Sequence, residues 1–321
     1  MASSQSDAAG TGQVSRTPAS PALIVAGFAV IYLVWGSTYL GIRIAIESWP
    51  PFLMAGIRFL VAGSLLFVGL RVSGVAKPNR REWLDGALVG TVMLGIGNGS
   101  VTWAEKTVAS NVAALIISSA PFFIALFEWL RPGGRLPAAR TCVGALTGIA
   151  GMVWLMTAQG SAESGHSGAI SIGSLACLLS VAAWSAGMIY GRYATRPRHV
   201  LMAAAQQMLV GSLALLAMSL ITGEPNRFTF AAVTGRSWFA LVYLSLIGSL
   251  LTFSVYNWLL QHTTPARVST SALVNPVVAI VLGWVFAGET LSPGSMFGAL
   301  VILAGVALIL VPARTDKDAA R

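Results

Sequence analysis

The stretch WAEKTVASNVAALIISSAP at residues 103–121 returns in altered form as WLLQHTTPARVSTSALVNP at residues 258–276. Both copies take eighteen steps from tryptophan (Trp103, Trp258) to proline (Pro121, Pro276). Both place a short polar link after the tryptophan, then a segment of small, apolar and hydroxyl residues that carries the proline. The flanks agree. Arg81-Glu82-Trp83 aligns with Arg236-Ser237-Trp238, and Gly144, Gly148 and Gly151 align with Gly298, Ile302 and Gly305 one step closer. Further upstream, Arg43 and Arg192 each follow a tryptophan (Trp35, Trp184) by eight residues. A period near 150 residues makes the chain two related halves.

Composition puts both halves in a membrane. Hydrophobic residues are 55% and charged residues 10%, with a mean hydropathy of +0.75; soluble domains carry about 25% charge. Runs of the ~20 apolar residues needed to cross a bilayer are expected near 22–45, 51–71, 83–103, 108–130, 140–157, 169–190, 200–222, 238–258, 265–287 and 293–312. Residues 1–20 read as a disordered tail and 313–321 as a short charged one, leaving five-span repeats at 21–157 and 158–312. Cys142 and Cys177 build neither a disulfide framework nor a metal site. His166, His199 and His262 fall in expected loops, and no metal, nucleotide or cofactor motif is present.

The formal charge of +9 follows topology. With a cytoplasmic N-terminus and ten spans, fifteen of the twenty Lys and Arg lie inside and four outside, with Arg58 in span 2. That is the positive-inside bias, and it needs no nucleic-acid partner. Five spans per half is an odd number, so the second half enters from the opposite side. The expectation is an all-α integral membrane protein of ten transmembrane helices in two inverted five-helix repeats. Secondary transporters use that architecture, with a substrate site between the halves. Its partners are then the lipid bilayer and a small-molecule substrate.

Trp35-Gly36-Ser37-Thr38-Tyr39, followed by Pro50-Pro51-Phe52-Leu53-Met54-Ala55-Gly56-Ile57-Arg58-Phe59, resembles the EamA family of the drug/metabolite transporter superfamily. Asn275-Pro276 followed by Gly288-Glu289 resembles that family's second repeat. The resemblance covers about residues 22–312. It implies a bacterial inner-membrane carrier, usually an exporter of metabolites or amino acids, with both termini cytoplasmic. The family's Gly-Glu pair at the end of span 4 is missing here, where Glu128 precedes Trp129-Leu130-Arg131-Pro132.

Arg58 is the leading candidate for substrate binding. Seven residues past Pro51, at ~1.5 Å per residue, it lies ~10 Å into its span. A charge there usually marks function. Either it takes an anionic group, with its repeat partner Gln206 and the adjacent Gln207 offering hydrogen bonds across the cavity, or it snorkels outward or pairs with Glu47 or Glu105. Trp35, Trp184 and Tyr39 either line the cavity or pack, and Asn275 either faces it or bonds between helices. Pro121 and Pro276 are expected mid-span, opposing the carbonyls of Ile117 and Ala272, either as hinges or as static kinks. Gly86-x-x-x-Gly90, Gly187-x-x-x-Gly191 and Gly294-x-x-x-Gly298 pack helices within the chain or join a homodimer. No acid is expected at mid-membrane; Glu105 and Glu289, near span ends, are the remaining proton-relay candidates. A polytopic membrane enzyme would need a titratable cluster at one face, for which Arg80, Arg81, Glu82 and Asp85 are the best group. A non-transporting scaffold would have no need of inverted symmetry.

Overall fold

Local sequence sets the helix starts in the computed structural model, which describes residues 20–134, 136–164, 171–263, 265–268, 270–290 and 292–310. Residues 1–19 and 313–321 of the expected tails, and His166, lie outside the described residues. Helix α1 (Pro21–Ala45) begins with proline in its first turn behind Ser20, whose hydroxyl accepts from the Leu23 N–H. Helix α2 (Pro51–Val72) also starts on proline. Helix α3 (Arg80–Ala104) opens with a capping box between Asn79 and Glu82. Then come α4 (Ser110–Leu130), α5 (Ala139–Ser164), α6 (Ile172–Tyr193), α7 (Val200–Ile221), α8 (Gly235–Leu259, running on to His262), α9 (Ser271–Ala287) and α10 (Pro293–Leu310). Among the described residues these are all helical. Seven of them are long and apolar enough to cross a membrane; α5, α9 and α10 contribute shorter apolar stretches.

The helices pack in a pattern that survives exchange of the halves. Extensive contacts run between α5 and α10, between α3 and α6 and between α2 and α7. α1 packs on α8 and α9, and correspondingly α6 packs on α3 and α4. The aligned glycines of α5 and α10 meet: a Cβ on Gly144 would stand 2.8 Å from the Gly305 carbonyl, and one on Gly298 3.0 Å from the Gly151 carbonyl. The three GxxxG motifs also pack within the chain, Gly86 and Gly90 on Gln206 and Gln207, Gly187 and Gly191 on Met93 and Val89, and Gly294 and Gly298 on Ala158 and Leu155.

Two regions depart from simple spans. α3 and α8, whose glycines and polar residues blur their edges in the sequence, are continuous but widen into π-helix at Thr91–Asn98 and Leu244–Leu251. The prolines, expected as matched mid-span kinks, differ. α4 is interrupted: Ser110–Ile117 ends in a turn at Ser118-Ser119, and a second segment, Ala120–Leu130, starts with Pro121 in its first turn. The Ser118 and Ser119 hydroxyls turn back to the Leu115 and Ile116 carbonyls (2.7 and 2.6 Å), competing with the helical bonds of that turn, and Pro121 has no N–H to give the next carbonyl, that of Ile117. α9 runs unbroken through Pro276 and is preceded by a separate turn of helix, Pro265–Val268. His262 closes α8, stacked on Trp258 at 4.4 Å, and so is not in a loop, whereas His199 stands in the bend just before α7 and its side chain makes no capping bond.

Candidate functional site

The π-helical turn of α8 carries Gly248 and Ser249 to the guanidinium of Arg58. Its Nε donates to Ser249 Oγ (2.8 Å), and Nη2 lies beside Gly248, 3.6 Å from where a Cβ there would stand. The guanidinium also lies 4.8 Å from the Phe59 ring centroid. Nη1 is buried with no hydrogen-bond partner, and the residue is only 3% exposed. Arg58 therefore does not snorkel. It is also absent from the ion pairs found among the described residues, which join Arg131 and Arg192 to Glu128 and Arg236 to Glu47. A buried cation with one free donor edge is poised for an anionic group.

Trp35 and Trp184, far apart in sequence, converge on Phe253 of α8, at centroid distances of 5.8 and 6.3 Å. Tyr256 joins Trp35 at 5.0 Å. All four side chains are half-buried, an aromatic layer where the two halves meet. Tyr39 lies one turn beyond Trp35, against the core around Val108 and Cys177 and within electrostatic reach of Glu105. Asn275 is half-buried with an unpartnered Oδ1, and its carbonyl closes on Gly36, where α1 crosses α9.

Gln206 and Gln207 are not brought to Arg58. α2 and α7 pack antiparallel, with Gly56 against Leu216 and Gly63 against Leu209. Arg58 is thus level with the stretch around Ala214, and Gln206 lies about 12 Å further along the axis. Both glutamines line a separate cavity of about 10 Å³ beside Asp85, Gly86, Thr195 and Arg196. Gln206 is buried there with both amide atoms unpartnered. An apolar groove of about 340 Å³ runs between α2, α3 and α6, lined by Phe52, Ser100, Trp103, Ile172, Leu175, Ala176 and Leu179. Arg58 lines neither of these, and at 3% exposure its guanidinium is closed off from solvent.

Both ends of the bundle are tied across the halves. At one end the Glu224 carboxylate accepts from the Phe52 and Leu53 N–H groups (3.2 and 2.8 Å), capping α2. Glu289 caps α4, accepting from Ser110 N, Ser110 Oγ and Asn111 N (2.8, 2.8 and 3.1 Å). This gives the Gly288-Glu289 pair its structural use, since Gly288, at φ +65°, closes α9 and turns the chain back so that Glu289 reaches α4. Trp49 stacks on Phe228 (4.9 Å) at the same end. At the other end Asp85 accepts from the Thr195 N–H (2.7 Å) and the Tyr190 hydroxyl (3.1 Å), and Glu128 meets Arg192 and Tyr193. Glu82 and Asp85 thus cap or cross-link helices. Among the described residues no group of three or more His, Cys, Asp or Glu could hold a metal ion.

Sequence reasoning missed Ser249, Gly248 and Phe253, because their approach depends on the π-helical turn. Glu105, placed by the sequence near a span end as a proton-relay candidate or a partner of Arg58, makes no ion pair with Arg58. Glu105 is fully buried, and neither carboxylate oxygen has a hydrogen-bond partner. Arg43 donates to the Glu105 main-chain carbonyl and not to its carboxylate.

A chain of apolar membrane-length helices, closed around a buried cation between two like halves, defines a multi-pass membrane transporter. It belongs to the EamA-like transporter family, whose sequence model matches twice, at residues 22–157 and 171–311. It is 38% identical to the inner membrane transporter YedA of Escherichia coli (strain K12) over 281 residues, 87% of this chain and 88% of YedA. It is 26% identical to a protein of Streptantibioticus cattleyicolor described as a "probable terminal-alkyne amino-acid exporter", covering 86% of this chain and 90% of that one. A crystal structure at 21% identity shares the fold, with a TM-score of 0.61 over 89% of this chain and 95% of the other.

Proposed function

We propose that the protein is a secondary exporter of small organic metabolites, amino acids or drug-like compounds, that works by alternating access in the bacterial inner membrane. It has ten transmembrane helices in two inverted repeats, 21–157 and 158–312, with both termini cytoplasmic. The observation that carries the reading is Arg58, a buried guanidinium with a free donor edge where α2 meets the π-helical turn of α8. Substrate carboxylate is the partner that this edge fits. The aromatic layer of Trp35, Trp184, Phe253 and Tyr256 supplies an apolar wall beside it. Several features support the repeat: the family sequence matches twice, the helix contacts survive exchange of the halves, and π-helix recurs at corresponding places in α3 and α8. The relatives described as an inner membrane transporter and an amino-acid exporter support location and direction.

In this cycle the ties at one end release while those at the other hold. Pro121, at a break in α4, and Pro276, inside α9, are the bending points. Counterflow in proteoliposomes tests the function. Vesicles preloaded with an unlabelled amino acid, a terminal-alkyne amino acid among the panel, should transiently concentrate the labelled compound. If no member of a panel of amino acids, nucleosides and drugs exchanges above empty liposomes, the reading is refuted.

A further inference from the structure

Glu105 stands apart from its neighbours. Of the acids with described side chains at its end of the bundle, Glu47 meets Arg236, Glu224 caps α2 and Glu289 caps α4. Glu105 alone among them is sealed from solvent with both oxygens unpartnered. Tyr39 and Arg43 of α1, Arg58 of α2 and Glu289 beyond α9 are the titratable or charged groups within electrostatic reach of its carboxylate or coupled to it. Cys177 of α6 faces Tyr39. A charged carboxylate closed off without a donor is costly, so the closed state suits the neutral acid. The other unsatisfied charged group in the same region is Arg58, with its free Nη1. Together the two groups offer one acceptor for a cation or proton and one donor edge for an anion. A zwitterion complements both.

Resting on the transporter reading above, we propose that Glu105 holds in turn a proton or the ammonium group of an amino acid whose carboxylate Arg58 takes, so that amino-acid efflux is exchanged for proton entry. The two cargoes exclude each other because each neutralises the same carboxylate. The amino acid binds Glu105 in its charged form, displacing the proton to the cytoplasmic side, and leaves at the outer side. A proton from outside then restores the neutral acid. The empty, charged form closes poorly, because closing would bury an uncompensated carboxylate. Each cycle moves one zwitterion out and one proton in.

The test uses the purified full-length protein with propargylglycine, L-leucine and L-threonine as zwitterions, 4-pentynoate as the probe lacking an ammonium group and 3-butynylamine as the probe lacking a carboxylate. In lightly buffered detergent, a zwitterion that exchanges in counterflow should release up to about one proton per molecule bound, in proportion to the protonated fraction of Glu105. 4-Pentynoate should release none. Glu105→Gln should release none with any probe and should lose zwitterion affinity at least tenfold, while affinity for 4-pentynoate stays unchanged. Size-exclusion profile and melting curve monitor its folding. If Glu105→Gln does not fold, Glu105→Asp is read in its place: retained exchange with a displaced pH midpoint supports the proposal, and an unchanged midpoint overturns it. Proton release by Glu105→Gln equal to wild type, or zwitterion binding by wild type without proton release at any pH, also overturns it. If only nucleosides or drugs exchange, the coupling falls and the transporter reading stands. If nothing exchanges, both fall.

Discussion

Replacing Arg58 with methionine separates its cost to the fold from its use in transport. Methionine keeps most of the aliphatic volume and removes the charge. The fold loses the 2.8 Å bond to Ser249 Oγ, a charge-assisted hydrogen bond of about 1.5–3 kcal/mol. It also escapes the cost of a charge within a span, about 2.5–3.5 kcal/mol on insertion scales. The two nearly cancel, so stability should change by no more than about 2 kcal/mol. Transport has no such offset. A substrate carboxylate that meets methionine in a closed site loses its partner, and breaking a buried ion pair costs about 3–5 kcal/mol. At 1.4 kcal/mol per tenfold, kcat/KM should fall by about two to three and a half orders of magnitude. Melting of the detergent-solubilised protein measures the first quantity and counterflow kinetics the second. A variant that melts like wild type and transports within threefold of it would refute the assignment of Arg58 to the substrate.

Other consequences follow from contacts elsewhere in the bundle. Gly90→Ala places a Cβ 2.5 Å from the Gln207 carbonyl oxygen and 2.9 Å from its Cα, so α3 and α7 must part; thermal melting should show a loss of about 1–3 kcal/mol. Glu289→Ala removes a cap that accepts three hydrogen bonds at the start of α4, and should cost about 1–2 kcal/mol, with faster hydrogen exchange confined to the first turn of α4. Pro121→Ala should leave stability within about 1 kcal/mol, because the first-turn N–H it restores lacks a helical partner. Pro121→Ala and Pro276→Ala should slow turnover more than they weaken binding, as read from kcat and equilibrium binding; equal loss of both would count against bending at these points.

Much of the fold is legible because membrane helices announce themselves by apolar length. The runs expected at 22–45, 51–71 and 293–312 fall on Pro21–Ala45, Pro51–Val72 and Pro293–Leu310. The π-helical segments are not legible, since the same residues suit α-helix and the widening accompanies neighbours such as Arg58 against Gly248. The two prolines look equivalent, yet only Pro121 follows a pair of serines that bind back to the preceding turn. Arg58 stands out from its depth alone. Its expected companion Gln206 does not follow, because repeat alignment ignores the antiparallel register of α2 on α7. Glu105 reads as a span-end acid in one dimension; Arg43, 62 residues away, and the fold around it make it buried.

The central claim is that two inverted halves open the two ends in turn. Spin-label distances across both ends test it most directly, using Ser48→Cys with Thr234→Cys at one end and Asp85→Cys with Thr195→Cys at the other, each with Cys142 and Cys177 replaced by alanine. The Ser48 and Thr234 residues are joined through the Ser48 hydroxyl, and Asp85 and Thr195 through the Asp85 carboxylate, so each pair reports its own closure. When a substrate identified by counterflow is added, the account expects one distance to lengthen while the other stays short. Two distances that stay fixed, or lengthen together, while counterflow proceeds would contradict it.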